Sequence, residues 1–214
     1  MSTPIYFWRE TGPEGYLSQW WTSHPFTSHA SSPSSPPMTF KTAEHYMMHA
    51  KALLFSDPEV ALDILKASHP RQVKSLGRRV RNFEEEQWNE ERERIVREGN
   101  LLKFRASDEL RQKLLDTGER ELVEASPMDR IWGIGFSPER APGSDRRRWG
   151  LNLLGKVLME VRAVLREEEE EEREKADDDE EKKSRKEKRR QEKEEGRGEE
   201  ASSSRDVEEG KGES

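Results

Sequence analysis

Apolar residues recur at helical spacing over most of the first 166 positions and almost vanish beyond them. Thr42 can cap a helix N-terminus, and Tyr46, Met47, Ala50, Leu53 and Leu54 then share one side, which predicts a helix to about Phe55. Asp57-Pro58 joins a cap to a proline at the first helical position, so a second helix is expected through Val60, Ala61, Ile64 and Leu65. Pro70 begins a third through Val73 and Leu76, and Gly77 interrupts or ends it. Asn82 is the expected cap of a long helix carrying Trp88, Ile95 and Leu102 as far as Phe104. Ser107, with Asp108 and Glu109, starts a shorter helix that Thr117-Gly118 closes. The last stripe, Leu151, Leu154, Val157, Leu158, Val161 and Leu165, should pack on the core.

The extended part is smaller. Tyr6-Phe7-Trp8 and Gly15-Tyr16-Leu17-Ser18-Gln19-Trp20-Trp21 mix aromatics with glycines, the pattern of short strands and turns, and Glu121 to Ala125 reads as a further short strand. Ser28 to Pro37 is a Ser/Pro-rich surface insertion. The expected fold class is therefore mainly α with a minor β part, and no internal repeat is visible.

Charge divides the chain more sharply than length does. Up to Arg166 there are 25 Lys+Arg against 23 Asp+Glu, a net charge near +2, whereas Glu167 onward holds 13 against 22, near −9. Every Trp, Phe and Tyr precedes residue 150. One domain over residues 1–166 follows, large enough for a real core. The tail, 167–214, has too few apolar residues to offset the entropy of ordering and is expected to be disordered, with Glu167 to Arg190 extending the preceding helix for some turns through Glu/Lys pairing. Absence of cysteine excludes disulfides, thiolate nucleophiles and Cys-ligated metals. No apolar run approaches a membrane span, and Met1-Ser2-Thr3-Pro4-Ile5 lacks a secretory pattern, so a cytoplasmic or nuclear location without membrane partners is expected. Lys182 to Arg190 could serve as a nuclear localisation signal.

Candidate chemistry concentrates in a few places. Glu124-Ala125-Ser126 to Trp132-Gly133-Ile134-Gly135 sets the carboxylates Glu124 and Asp129 beside an indole in a glycine-rich loop. Two carboxylates can divide the work of protonating a leaving group and stabilising a cation, and an indole can hold a planar ring. A surface turn with an incidental tryptophan has the same sequence. Glu44, Met47, Met48 and Lys51 share one side of the first helix, which supplies either an acid/base carboxylate with an amine nearby or an exposed ion-paired face. His45 and His49 are four apart, but Glu44 precedes His45 and no third ligand is evident, so no metal is assigned. Lys74, Arg78, Arg79 and Arg81 form a basic patch suited to phosphate or simply solvated, and Arg146-Arg147-Arg148 admits the same two readings. Trp88 could stack on a base or belong to the core, and Asn152 could donate to a ligand or cap the last helix.

These residues, in this order, resemble the NADAR family, also called YbiA-like, over residues 6 to 166. The carrying motifs begin with Gly15-x-Leu17-Ser18, Phe40-x-Thr42-x-Glu44-His45-Tyr46 with Lys51-Ala52, Lys74-x-x-Gly77-Arg78 and Trp88. They continue through Lys103-Phe104, Thr117-Gly118, Leu122-Val123-Glu124-Ala125-Ser126-x-x-Asp129-x-x-Trp132-Gly133-x-Gly135, and Gly150-x-Asn152-x-Leu154-Gly155-x-x-Leu158-Met159. The chain departs from the family at Gln19-Trp20, where Asn-Phe is common, and in its Ser/Pro insertion. The resemblance implies one compact YbiA-like helical domain and cleavage of N-glycosidic bonds without a cofactor. Its implied substrates are small and nucleotide-like, ribosylamino-pyrimidine phosphate intermediates of riboflavin synthesis, or ADP-ribosylated guanine, free or in nucleic acid. In such a reaction Glu44 and Asp129 would share the acid and cation-stabilising roles, with Glu124 in support, and Lys51 would act as acid or capture the opened sugar as an imine. Trp88 and Trp132 would sandwich the base, Arg78 and Lys74 hold phosphate, Asn152 fix a polar edge, and Gly133 line the pocket. The alternative is a non-catalytic reader of ADP-ribose or nucleotides whose tail recruits partners.

Overall fold

The structure, a computed structural model, describes residues 3–28 and 36–203, with side chains as far as residue 188. Two units are delimited by internal contacts, residues 1–166 and 167–214. In chain order the first contains β1 (Ile5–Phe7), a 3-10 turn (Gly15–Leu17), β2 (Phe26–Ser28), β3 (Met38–Phe40), then α1 (Ala43–Leu54), α2 (Pro58–Lys66), α3 (Pro70–Gly77), α4 (Glu85–Arg105) and α5 (Asp108–Leu115). Strand β4 (Leu122–Glu124), a second 3-10 turn (Arg146–Arg148) and α6 (Leu153–Ser203) follow.

Helix α1 is the hub, packing on α2, α3 and α4. Its cap is Thr42, whose side chain accepts from the amide of His45, and every residue from Ala43 to Met48, with His49 and Ala52, is buried. Asp57 and Ser107 cap α2 and α5 as expected, accepting from Val60 and Leu110. Asn82 does not cap α4. That helix begins at Glu85, and Asn82 instead takes a left-handed conformation at φ 54°. Asparagine tolerates this region unusually well, so the same residue type serves a turn as readily as a cap.

The β part consists of two separate pairs. Strands β2 and β3 are antiparallel with Phe26 opposite Phe40, and both rings join the core. The Ser/Pro insertion between them lies, in its residues 29–35, outside the described residues. Strands β1 and β4 run parallel, with Ile5 opposite Leu122 and Phe7 opposite Glu124. The chain segments after Phe7 and after Glu124 therefore leave the sheet at the same end, where open parallel sheets generally carry their ligands.

Helix α6 starts two residues later than its apolar stripe suggests. Leu151 is half exposed and Asn152 is left-handed at φ 52°, while Leu153, Leu154, Val157, Leu158, Val161 and Leu165 are buried. Within the second unit the helix continues through Ser203, and the expected Glu/Lys pairing is present at spacing four in Glu171–Lys175, Asp178–Lys182 and Glu181–Arg185. No helix among the described residues is long and apolar enough to cross a membrane.

Candidate active site

Glu44 lies in the first turn of α1 and is 5% exposed, with its amide donating to the carbonyl of Gln19 at 2.9 Å. That carbonyl is held from behind. Buried Lys103 on α4 donates to the carbonyls of Tyr16, at 2.6 Å, and Ser18, at 3.0 Å, and Asn100 donates to the side chain of Gln19 at 3.1 Å. Lys103 has no carboxylate at hand, and burial lowers its pKa to about 7. Two polar residues on α4 thus anchor the segment that seats the N-terminal end of α1, an arrangement that sequence reading alone did not assign to Lys103 or Asn100.

Three carboxylates converge from separate elements. The pKa of Glu44 is raised to about 7, by burial first and by the charge of Asp129, against the pull of Lys74, Arg78 and Lys51. Burial also raises that of Glu124, to about 8, with the charges of Asp129 and Glu44 adding to the rise and Lys74 opposing it. Glu124 closes β4, and one of its carboxylate oxygens, Oε2, is fully buried without a hydrogen-bond partner. Asp129 spends Oδ1 on the amides of Ile131, at 2.8 Å, and Trp132, at 2.9 Å, so it shapes the loop while its charge bears on both glutamates.

The cations come from α1 and α3. Lys51 sits two turns after Glu44; its Nζ donates to the carbonyl of Gly77 at 3.1 Å and lies 4.2 Å from the ring centre of Phe83 and 5.4 Å from that of Trp88. Burial lowers its pKa and Glu44 works against the fall. Lys74 and Arg78, one turn apart at the end of α3, are exposed, and Lys74 lies 5.9 Å from the ring centre of Trp20. Close approach of α3 to α1 sets these positions: a Cβ at Gly77 would fall 2.0 Å from the sulfur of Met48. Trp20 and Phe83 are ring partners of the site lysines that sequence reading did not single out; the departure at Gln19-Trp20 was the available signal.

Several expected roles change. Asn152 is buried and braces the strand: Oδ1 accepts from the amide of Glu124 at 2.9 Å and Nδ2 donates to the carbonyl of Leu122 at 2.9 Å. Its work is to fix β4. Gly133 is buried against β4; a Cβ there would meet the Glu124 carbonyl at 2.8 Å. Arg81 leaves the phosphate patch, since its guanidinium is bound to Asp57 at 2.6 Å and to Glu59 at 2.8 Å. Arg146 and Arg147 pair with Glu121 and Asp145. Trp88 and Trp132 are half-buried and pack on the core. His45 uses both ring nitrogens, accepting from the amide of Lys41 and bonding the Ile64 carbonyl at 2.7 Å, and both His45 and His49 lie against Phe40. Among the described residues no group of three His, Asp or Glu is placed to hold a metal ion.

The chain matches known proteins over the unit that holds this site. A family model described as the NADAR domain matches residues 6–166. An N-glycosidase of Acanthamoeba polyphaga mimivirus is 48% identical over 124 residues, 58% of this chain and 73% of that protein. A riboflavin biosynthesis protein of Vibrio vulnificus is 30% identical over 167 residues, covering 78% of this chain and 40% of its own length. The NMR structure of the E. coli protein YbiA superposes with a TM-score of 0.61 at 29% identity, covering 78% of this chain and 87% of that one.

Proposed function

The chain belongs to the NADAR domain family and is an enzyme of the N-glycosidase class, and on that premise we propose that it hydrolyses the ribosyl C1'–N bond of a small phosphorylated nucleotide-like substrate. One observation carries the reading: a buried glutamate, Glu44, stands beside two further carboxylates and within the fields of Lys74, Arg78 and Lys51. Breaking a C1'–N bond builds oxocarbenium character on the sugar, and a carboxylate held in a water-poor site stabilises that charge more in the transition state than in the ground state. The helix N-terminus and the three cations keep Glu44 ionisable despite burial. Asp129 adds negative potential from the loop, and water completes the reaction by bonding to C1'.

Lys74 and Arg78 have no ion-pair partner among the described residues, unlike Arg81, Arg146 and Arg147. Exposed and unneutralised beside the carboxylates, they suit a substrate phosphate. Trp88 and Trp132 supply indole faces for the base. Ribosylamino-pyrimidine phosphates fit these groups, and a modified guanine bearing ADP-ribose is the second candidate of the same chemistry. Incubation of purified protein with each, following base release, is the test. Turnover of either substrate is expected, lost by at least about a hundredfold in Glu44→Gln. Turnover unchanged in both Glu44→Gln and Asp129→Asn would overturn the assignment of the site.

A further inference from the structure

The source of the proton for the departing base is the step that the carboxylates divide among themselves, and their surroundings differ. Glu44 feels three cations, Lys74, Arg78 and Lys51, against the carboxylates of Asp129 and Glu124. Glu124 feels two carboxylates, Asp129 from the loop and Glu44 from α1, against the single cation Lys74 of α3. Its Oε2 is sealed from solvent with no donor to stabilise a negative charge. Asp129 has already committed Oδ1 to two backbone amides of its own loop, those of Ile131 and Trp132.

The backbone of Glu124 is hydrogen-bonded on both sides. Its amide donates to Asn152, its carbonyl accepts from Ile134 at 3.0 Å, and the next amide, of Ala125, donates to Phe7 at 2.8 Å. The loop after it is tied down in turn: the carbonyls of Ile131, Trp132 and Gly133 accept from Leu153, Leu154 and Asn152. Gly155 brings α6 against the same strand, where a Cβ would fall 2.1 Å from the Leu122 carbonyl.

We propose that Glu124 is the catalytic acid of the N-glycosidase site, with Asn152 as its positioning residue. The inference rests on the N-glycosidase reading and deepens it. As the C1'–N bond breaks, its electron pair goes to the base nitrogen, which takes the carboxyl proton of Glu124. The oxocarbenium ion is held by the carboxylate of Glu44. Water then adds to C1' and gives a proton back to Glu124, so the cycle consumes one water and returns the enzyme unchanged. Two carboxyl groups driven apart in acidity by their surroundings are the usual basis for such a division. Burial, reinforced by Asp129 and Glu44, places the Glu124 carboxyl at a pKa of about 8, which keeps it protonated at neutral pH.

Two substrates with one sugar test this on the full chain: ribosylamino-pyrimidine 5'-phosphate, and p-nitrophenyl ribofuranoside 5-phosphate, whose leaving group departs without a proton. In wild type, kcat on the N-glycoside should fall on the alkaline side between about pH 7 and pH 9.5, roughly tenfold per unit beyond the midpoint, with no such fall on the nitrophenyl compound. Glu124→Gln should lower kcat on the N-glycoside about a hundredfold or more while holding the nitrophenyl rate within about fivefold; Glu44→Gln should depress both. Asn152→Ala should move the alkaline midpoint as well as the rate. A wild-type profile on the N-glycoside that is flat over that range overturns the proposal even if Glu124→Gln fails to fold, as does a Glu124→Gln enzyme slowed equally on both substrates. Either result leaves the N-glycosidase reading standing. Wild-type protein that cleaves neither compound and no ADP-ribosylated guanine overturns both.

Discussion

Glu44 and Glu124 each stand where an ionised carboxylate is costly, and that cost belongs to the fold as well as to the reaction. A carboxyl whose folded pKa lies above its unfolded value stabilises the fold fully below the unfolded value and loses that contribution as pH rises through the folded one. For Glu44 the window runs from 4.5 to about 7, and for Glu124 from 4.5 to about 8. Replacing either by glutamine removes the ionisation, so each variant should gain stability relative to wild type as pH rises through its window and level off above it. For Glu44 the gain is on the order of 3 kcal/mol. Taking melting temperatures as differences from wild type between about pH 5 and pH 9 cancels the opposing drifts of buried His49 and Lys103; a difference that does not change with pH contradicts the burial of these groups. The helical side that Glu44 shares with Lys51 was legible in the sequence, a local relation that fitted an exposed ion-paired face as well as the buried one observed. Asn152 was not. Nothing near it in sequence says that its amide will meet Leu122 and Glu124, 30 and 28 residues away.

The third helix shows how an element places chemistry. Pro70 starts it, His69 caps it by accepting from the amide of Arg71, and Val73 and Leu76 bury one face. The opposite face then has to carry Lys74 and Arg78 outward, and the contact at Gly77 brings that face to the end of α1 that bears Glu44. If these cations hold the substrate phosphate, Lys74→Gln and Arg78→Gln should each raise KM for a 5'-phosphorylated substrate about tenfold, the scale of one charge-assisted hydrogen bond at an exposed site, with kcat little changed. The unphosphorylated riboside should show no such difference between variant and wild type. Equal KM shifts on both compounds would assign the two residues to packing or to the field at Glu44. Helices whose ends are marked by local signals, Thr42, Asp57-Pro58 and Ser107, were readable from the sequence at their starts. Asn82 misled because the turn it occupies is fixed by Arg81, which reaches back 24 residues to Asp57. Pairing of β1 with β4 was equally hidden, since parallel strands of three residues, over a hundred positions apart, leave no pattern that names a partner.

At the scale of the whole molecule, core and charge are separated along the chain. All aromatic residues and the buried apolar cluster belong to residues 1–166, and that unit is near +2, whereas the full chain is at −7. Within the second unit the described side chains from Glu169 onward are exposed, and the ion pairs at helical spacing, Glu171–Lys175, Asp178–Lys182 and Glu181–Arg185, are each worth only about 0.3–0.5 kcal/mol. Truncation after Arg166 should therefore leave the melting temperature within about 2 °C. Its effect on an anionic substrate should be larger. At about 0.01 M salt the Debye length is roughly 30 Å, longer than the roughly 15 Å radius of gyration expected for a domain of this size, so a tethered excess of negative charge is felt across the whole domain. Removing it should raise kcat/KM for a phosphorylated substrate severalfold at that ionic strength, and the two proteins should converge at about 0.5 M, where screening confines each charge to its neighbours. A neutral riboside should respond to truncation at neither salt concentration. If truncation instead lowers kcat/KM on the phosphorylated substrate at every ionic strength, the tail takes part in binding or in holding the domain, and its charge is not a bystander to the reaction.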